Sequence, residues 1–348
     1  MIKQVVLIIV MATLVSCGIP LKEFAEGDYN RRGLYSVDHQ IAWASGSDGA
    51  VLRLTPEGWW WKKSALDEVE EKFKGLDFRD VHGFSELEAL IMSSGDGCKI
   101  FRTKDGGQTW QEVYENLEKG IFFDGMDFWD DKRGIAFSDP IDGRIYLIHT
   151  LDGGRSWKQL IPTEMPLVQE GEAGFAASGT GIVCKGDSIV WIATGGGEKA
   201  RVFKSTDAGK NWKVYDTPIK TDPKKYRGIY SMAMKDELNG VVIGGSFTDS
   251  AATDGICATT QDGGLNWKLS ENMPTGYRSC LSYLEENTYI CCGRNGIDIS
   301  FDGGVKWERL SQAAFYSVIR VGETIWFTGK KGKMGSLSMK YVRRLTHR

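Results

Sequence analysis

The chain is predicted to be all-β: a β-propeller of seven four-stranded antiparallel blades, with six as the alternative. Three observations point there. One turn phrase, Ser/Thr-x-Asp-x-Gly-x-x-Trp, occurs five times: Thr103 to Trp110, Thr150 to Trp157, Ser205 to Trp212, Thr260 to Trp267 and Ser300 to Trp307. Its aspartates, Asp105, Asp152, Asp207, Asp262 and Asp302, are spaced by 47, 55, 55 and 40 residues, the interval of a propeller blade. Between them, apolar runs with alternation are bounded by Gly, Asn and Asp, which are strand and turn signals.

The chemistry of the phrase is that of a tight turn. An Asp carboxylate can accept backbone amides across it, glycine supplies positive φ, and the Trp ring packs between sheets with its N–H partnered. The five aspartates are therefore structural. A decayed copy upstream, Thr55 to Trp61 with Glu57 in the Asp position, marks a further blade. Phe315 to Val321, Thr324 to Thr328 and Met334 to Ser338 continue the strand rhythm without the phrase. That makes seven units if the N-terminal segment near Leu21 to Gly33 supplies an outer strand, and six if the first and last fragments share one sheet. Each unit reads as an inner strand such as Gly228 to Met234, an apolar second strand such as Val241 to Gly245, a variable loop, a third strand, the turn and an outer strand. One segment departs from this. Ser64 to Gly75 has Leu66, Val69 and Phe73 at helical spacing, with Ser64 and Asp67 resembling a capping box, and reads as a short helix between blades one and two.

The N-terminus predicts export. Lys3 precedes an apolar run from Val5 to Val15 and then Leu14-Val15-Ser16-Cys17. The run is about half the ~20 residues a spanning helix needs and has the form of a secretory signal. The last four residues resemble a bacterial lipobox, which implies diacylation of Cys17 and a membrane tether. The expected organisation is a signal over 1–16, a tether and ring-closing strand over 17–33, one propeller over 34–340 and a basic tail over 341–348. The location is then the bacterial cell envelope, on the periplasmic side or the cell surface. Cleavage would leave 332 of 348 residues and take the formal charge from −3 to −4. That mild acidity, spread along the chain, argues against a nucleic-acid partner. Six cysteines follow Cys17. They read as small buried strand residues, although Cys280 lies one hairpin from Cys291 and Cys292, and a bond within that sheet is open.

The Gly-Gly-x-x-Trp turns, Phe123 to Trp129, Glu170 to Ser178 and Gly228 to Ser231 together resemble the photosystem II stability and assembly factor-like propellers. This is a BNR or Asp-box repeat family with bacterial lipoprotein members, and the resemblance spans Leu34 to Ser338. It implies a binding or assembly role. Some members carry an oxidoreductase label, but no Gly-x-Gly-x-x-Gly opens a helix after a strand here, and no cofactor is expected. In such a fold the Asp boxes occupy one rim, and partners meet the opposite, top face.

Top-face loops place Asp139, Glu170, Glu172, Arg227, Tyr230, Arg278 and Arg294 around the funnel as the candidate ligand or partner contacts. The expected role is a non-catalytic module for a protein or a glycan. The alternative is a sialidase-like glycoside hydrolase using the same arginines, Tyr230 or Tyr277, Glu172 and Asp139. A retaining enzyme of the usual kind needs its two carboxyl groups about 5 Å apart. Trp59 to Trp61 reads as core for the outer two and half-exposed for Trp60. His39, His82, His149 and His347 are scattered, so no metal site is expected.

Overall fold

The computed structural model describes residues 19–346 apart from 26, 56–57, 64–72, 74, 96, 223 and 225, with the backbone alone over 58–63. The segment expected to be a secretory signal, Cys17, Glu57, the helix expected over 64–75 (apart from Phe73 and Gly75), the side chains of Trp59 to Trp61 and His347 lie outside the described residues. Seven four-stranded antiparallel sheets form the ring. The innermost strands, in chain order, are Arg31–Ser36, Asp77–Gly83, Phe123–Phe128, Ile182–Lys185, Arg227–Met234, Cys280–Glu285 and Ser317–Val321.

The seventh blade takes its outer strand from the opposite end of the chain. Lys22–Ala25 pairs antiparallel with Lys333–Ser338, Lys22 opposite Ser336 and Ala25 opposite Lys333. Phe24 meets Trp326 edge-on at 6.2 Å, and Lys333 reaches Glu23 at 3.0 Å. The segment expected to be a basic tail instead begins as a helix, Met339–Leu345, capped by Ser338. Its Met339 and Val342 are buried against blades six and seven, and Arg343 bonds Glu285 at 2.6 Å. An apolar stripe at i and i+3 is enough to dock so short a helix.

The five turns are nearly superposable in their bonding. In each, the Ser or Thr hydroxyl donates to the Asp at 2.8–2.9 Å, and the second-position Gly amide donates to that hydroxyl at 2.9 Å. The amide four residues past the Asp then closes on its carboxylate at 2.9 Å. Each Trp fills the seam with the preceding blade. Trp110 packs with Trp43 and Phe78, Trp212 with Ile135 and Phe137, and Trp307 with Val241 and Ile243. The indole N–H expectation holds for three of the five. Trp212, Trp267 and Trp307 donate to the turn's own glycine carbonyl, whereas those of Trp110 and Trp157 find no acceptor among the described residues. The six cysteines after Cys17 are largely buried; Cys184, Cys257, Cys280, Cys291 and Cys292 are free thiols, with Cys280 opposite Cys292 in the sheet.

Candidate functional site

Because the Asp boxes join third to outer strands, the other face is built from the loops between blades and between second and third strands. The structure divides the seven candidate residues on that face into two groups.

Glu172 and Arg278 are walled in. The Glu172 carboxylate is 3% exposed and accepts from Arg201 Nε at 3.0 and 3.1 Å, from Thr194 Oγ1 at 2.6 Å and from the Gln169 amide at 2.7 Å. Arg278 is fully buried, with Asp298 at 2.6 Å, Asn295 at 2.6 Å, Thr275 at 2.8 Å and the Tyr277 carbonyl at 2.8 Å. The sequence placed both on loops and so suggested that they face a ligand. Long-range partners in the third strands of their neighbouring blades, Arg201 and Asp298, pull them inward instead, because a buried charge must be paired and hydrogen-bonded. They hold the loops in place.

Arg227 is mostly consumed as well. Its guanidinium bonds Asp254 at 3.0 Å, and Lys220 with Arg227 holds that carboxylate below its usual range. Tyr230 is buried, stacked on Phe175 at 4.1 Å with the rings 5° apart, and its hydroxyl donates to the Tyr226 carbonyl at 2.6 Å. Asp139 accepts from the Gly174 amide at 3.2 Å and is pushed up to about 6 by burial. Asp124 is its neighbour: burial and Asp139 hold Asp124 well above the usual carboxylate range. Of the carboxylates and the two phenols put forward for hydrolysis, Glu172 and Tyr230 have their polar atoms engaged by the protein, Tyr277 is buried, and Asp139 accepts the Gly174 amide beside Asp124. Glu170 is exposed at the loop tip.

Arg294 remains available, and the structure adds a residue the sequence did not nominate. Arg294 is exposed, lies 4.6 Å over the Phe247 ring and donates to the Phe247 carbonyl at 3.1 Å. Arg32, in the first inner strand, lies 4.2 Å over the Tyr316 ring. Neither guanidinium has a carboxylate partner among the described residues. Both act on one phenol between them: burial pushes Tyr277 up, and the charges of Arg32 and then Arg294 oppose that rise. Tyr277 in turn meets Tyr230 edge-on at 4.7 Å and Phe247 at 6.0 Å. Tyr226 and Phe247 are 59% and 39% exposed, so an aromatic ledge continues to the surface. The signal for Arg32 in the sequence was its place at the start of an inner strand, which required knowing where the ring closes.

No group of three metal-capable side chains occurs among the described residues. His82 is buried between Tyr35 at 4.3 Å and Phe128 at 4.2 Å, and burial pushes it down to about 3.

Together these features define a class: a seven-bladed propeller with two arginines held on aromatic rings at its top face. No family model matches the chain, and no curated protein matches it. Among solved structures it is similar to YCF48 bound to D1 peptide, with 14% identity, a TM-score of 0.64 and coverage of 92% of this chain and 95% of that one. YCF48 from Cyanidioschyzon merolae gives 14% identity, a TM-score of 0.63 and coverage of 92% and 99%. The GH74 enzyme of Niastella koreensis gives 13% and 0.64, covering 90% of this chain but 53% of that one. At these identities the likeness is one of fold.

Proposed function

We propose that this propeller is an exported, membrane-tethered binding module that seats a segment of a partner protein on its top face. The carrying observation is the pair of guanidinium groups, Arg32 and Arg294, whose charges both act on Tyr277 and which have no carboxylate partner among the described residues. Guanidinium forks held on aromatic faces are suited to carboxylates, so an acidic peptide segment is the favoured occupant. Rigid blades with variable loops supply the scaffold. YCF48 bound to D1 peptide, which shares the fold, supports a protein occupant. The second reading is a glycan, favoured by the Tyr226 and Phe247 rings exposed beside Arg294. The tether is assigned to acylated Cys17.

Affinity capture from detergent-solubilised membranes tests the binding role. A specific protein retained by the native chain should be lost with Arg32→Glu and with Arg294→Glu, while Asp152→Ala on the other rim retains it. Equal capture by all four proteins would remove the top face from the function. Binding to an oligosaccharide array with no protein captured would favour the glycan. Intact mass of the mature chain, with and without Cys17→Ser, checks the acyl group.

A further inference from the structure

The fourth blade has an inner strand of only four residues, Ile182–Lys185, because the residues before it leave the blade and cross the ring. Their attachments reach four other blades. The Gly174 amide donates to Asp139 of blade three at 3.2 Å, and Arg79 of blade two donates to the Ala176 carbonyl at 3.3 Å. The Phe175 ring stacks on Tyr230 of blade five, and Ser178 Oγ donates to the carbonyl of Ser279, just before blade six, at 2.8 Å. Gly174 and Gly179 press against two carboxylates. A Cβ on the first would overlap that of Asp124, and a Cβ on the second that of Asp80. Both positions need glycine for this approach.

Asp124 is 1% exposed, and neither of its oxygens receives a well-aligned hydrogen bond among the described residues, although the Ala176 amide of the strap favours its charged form. A bare carboxylate is not stable in such a place, and a protonated one that donates to Asp139 is. Asp139 then has the Gly174 amide on one oxygen. The other charged and titratable groups facing the pair and the strap are few. Arg79, from the second inner strand, favours the charged form of Asp124 but is already bound to Asp77 at 2.8 Å. Asp80, across the strap, accepts the Met126 and Val81 amides at 2.7 and 2.8 Å. Beyond it, Asp127 accepts the Cys184 amide at 2.7 Å and is next to Lys185, and Tyr35 of the first blade faces Asp80 and Asp127. Arg79 is the cation that acts on Asp124 among the described residues, and it is also bound to the Ala176 carbonyl.

We propose that Gly174 to Gly179 is a strap that closes the channel only while Asp124 and Asp139 hold one proton between them, so that losing that proton frees the strap and opens the ring to the top face. Burial raises both carboxyls above the ordinary carboxylate range, so the strap is seated in acidic solution and released as pH rises.

Amide hydrogen exchange of the full-length protein at pH 5.5 and pH 8, corrected for intrinsic rates, tests this. Protection over 174–180 should fall at least tenfold at pH 8, with Val241 to Gly245 of blade five unchanged. Asp124→Asn keeps a donor toward Asp139 and should hold the strap at both values, and Asp139→Asn should do the same if the first variant folds poorly. Equal protection in the native chain at both pH values overturns the proposal. So does a pH effect that survives both variants and disappears with Asp80→Asn, since it would then belong to the other carboxylate.

Discussion

The two faces of the ring are built on opposite plans. On the box rim, five turns repeat one set of bonds to within 0.1 Å, every bond within four residues of its partner. On the top face and in the channel the decisive pairs span long stretches of chain. Glu172 meets Arg201 29 residues on, Arg278 meets Asp298 20 residues on, and Ser178 meets Ser279 101 residues on. The rim is thus a set of independent local clamps, and the top is one coupled polar network. Independent sites add and coupled ones do not, which makes the contrast measurable.

The largest effect is expected where the network is cut. Arg278→Ala leaves Asp298 charged in a fully buried site, and loss of one partner of a buried pair costs about 3–5 kcal/mol. Denaturant unfolding should show that loss, and a cost under about 1 kcal/mol would mean that the network is not coupled. The next effect is a pH dependence. Burial raises Asp80 to about 8, against hydrogen bonds from Met126 and Val81 that favour the charge. A carboxyl whose folded value is raised binds more protons in the folded state, so its contribution to stability declines from about pH 4 to pH 8, by at most about 1.4 kcal/mol per pH unit. Asp80→Asn removes that titration, so its measured cost should shrink between pH 5 and pH 8; a constant cost would show that Asp80 is ionised throughout.

Single clamps on the rim come third. Asp152→Ala should cost about 1 kcal/mol, and Asp152→Ala with Asp262→Ala should cost the sum within about 0.5 kcal/mol. A large deviation in the double variant would make the rim cooperative too. The smallest effect is at the one irregular box. Ala208 sits at φ +58°, where the other four boxes have glycines between +73° and +80°. Ala208→Gly should raise stability by about 0.5 kcal/mol, the relief of the left-handed strain less the extra freedom of the unfolded chain. Thermal unfolding is sensitive enough to see it.

This contrast also explains how much could be read from the residues alone. The turns carry their partners within eight residues, so fold class, blade spacing and ring closure near Leu21 were legible. The top face was legible only as a location. Loop position gave Arg294 and Glu170, both exposed and without an ion pair among the described residues. It gave no warning that Glu172 and Arg278 are drawn inward, since Arg201 and Asp298 lie in third strands that read as ordinary blade residues. The strap was legible only as the phrase Glu170 to Ser178 and as a loop carrying Glu170 and Glu172. Nothing local says that Gly174 and Gly179 rest on carboxylates from two other blades.

The union of Lys22–Ala25 with Lys333–Ser338 has a consequence in time. The strand made first pairs with one made more than three hundred residues later, and closing so long a loop costs about 2 kcal/mol more than closing a single ~45-residue blade. While the chain is being delivered, its leading strand has no neighbour, and the ring stays an open arc until the last blade arrives. A chain cut before Lys333 would keep the leading strand single. Unpaired strands are templates for other chains, so the product expected of such a truncation is not a smaller ring but chains joined end to end.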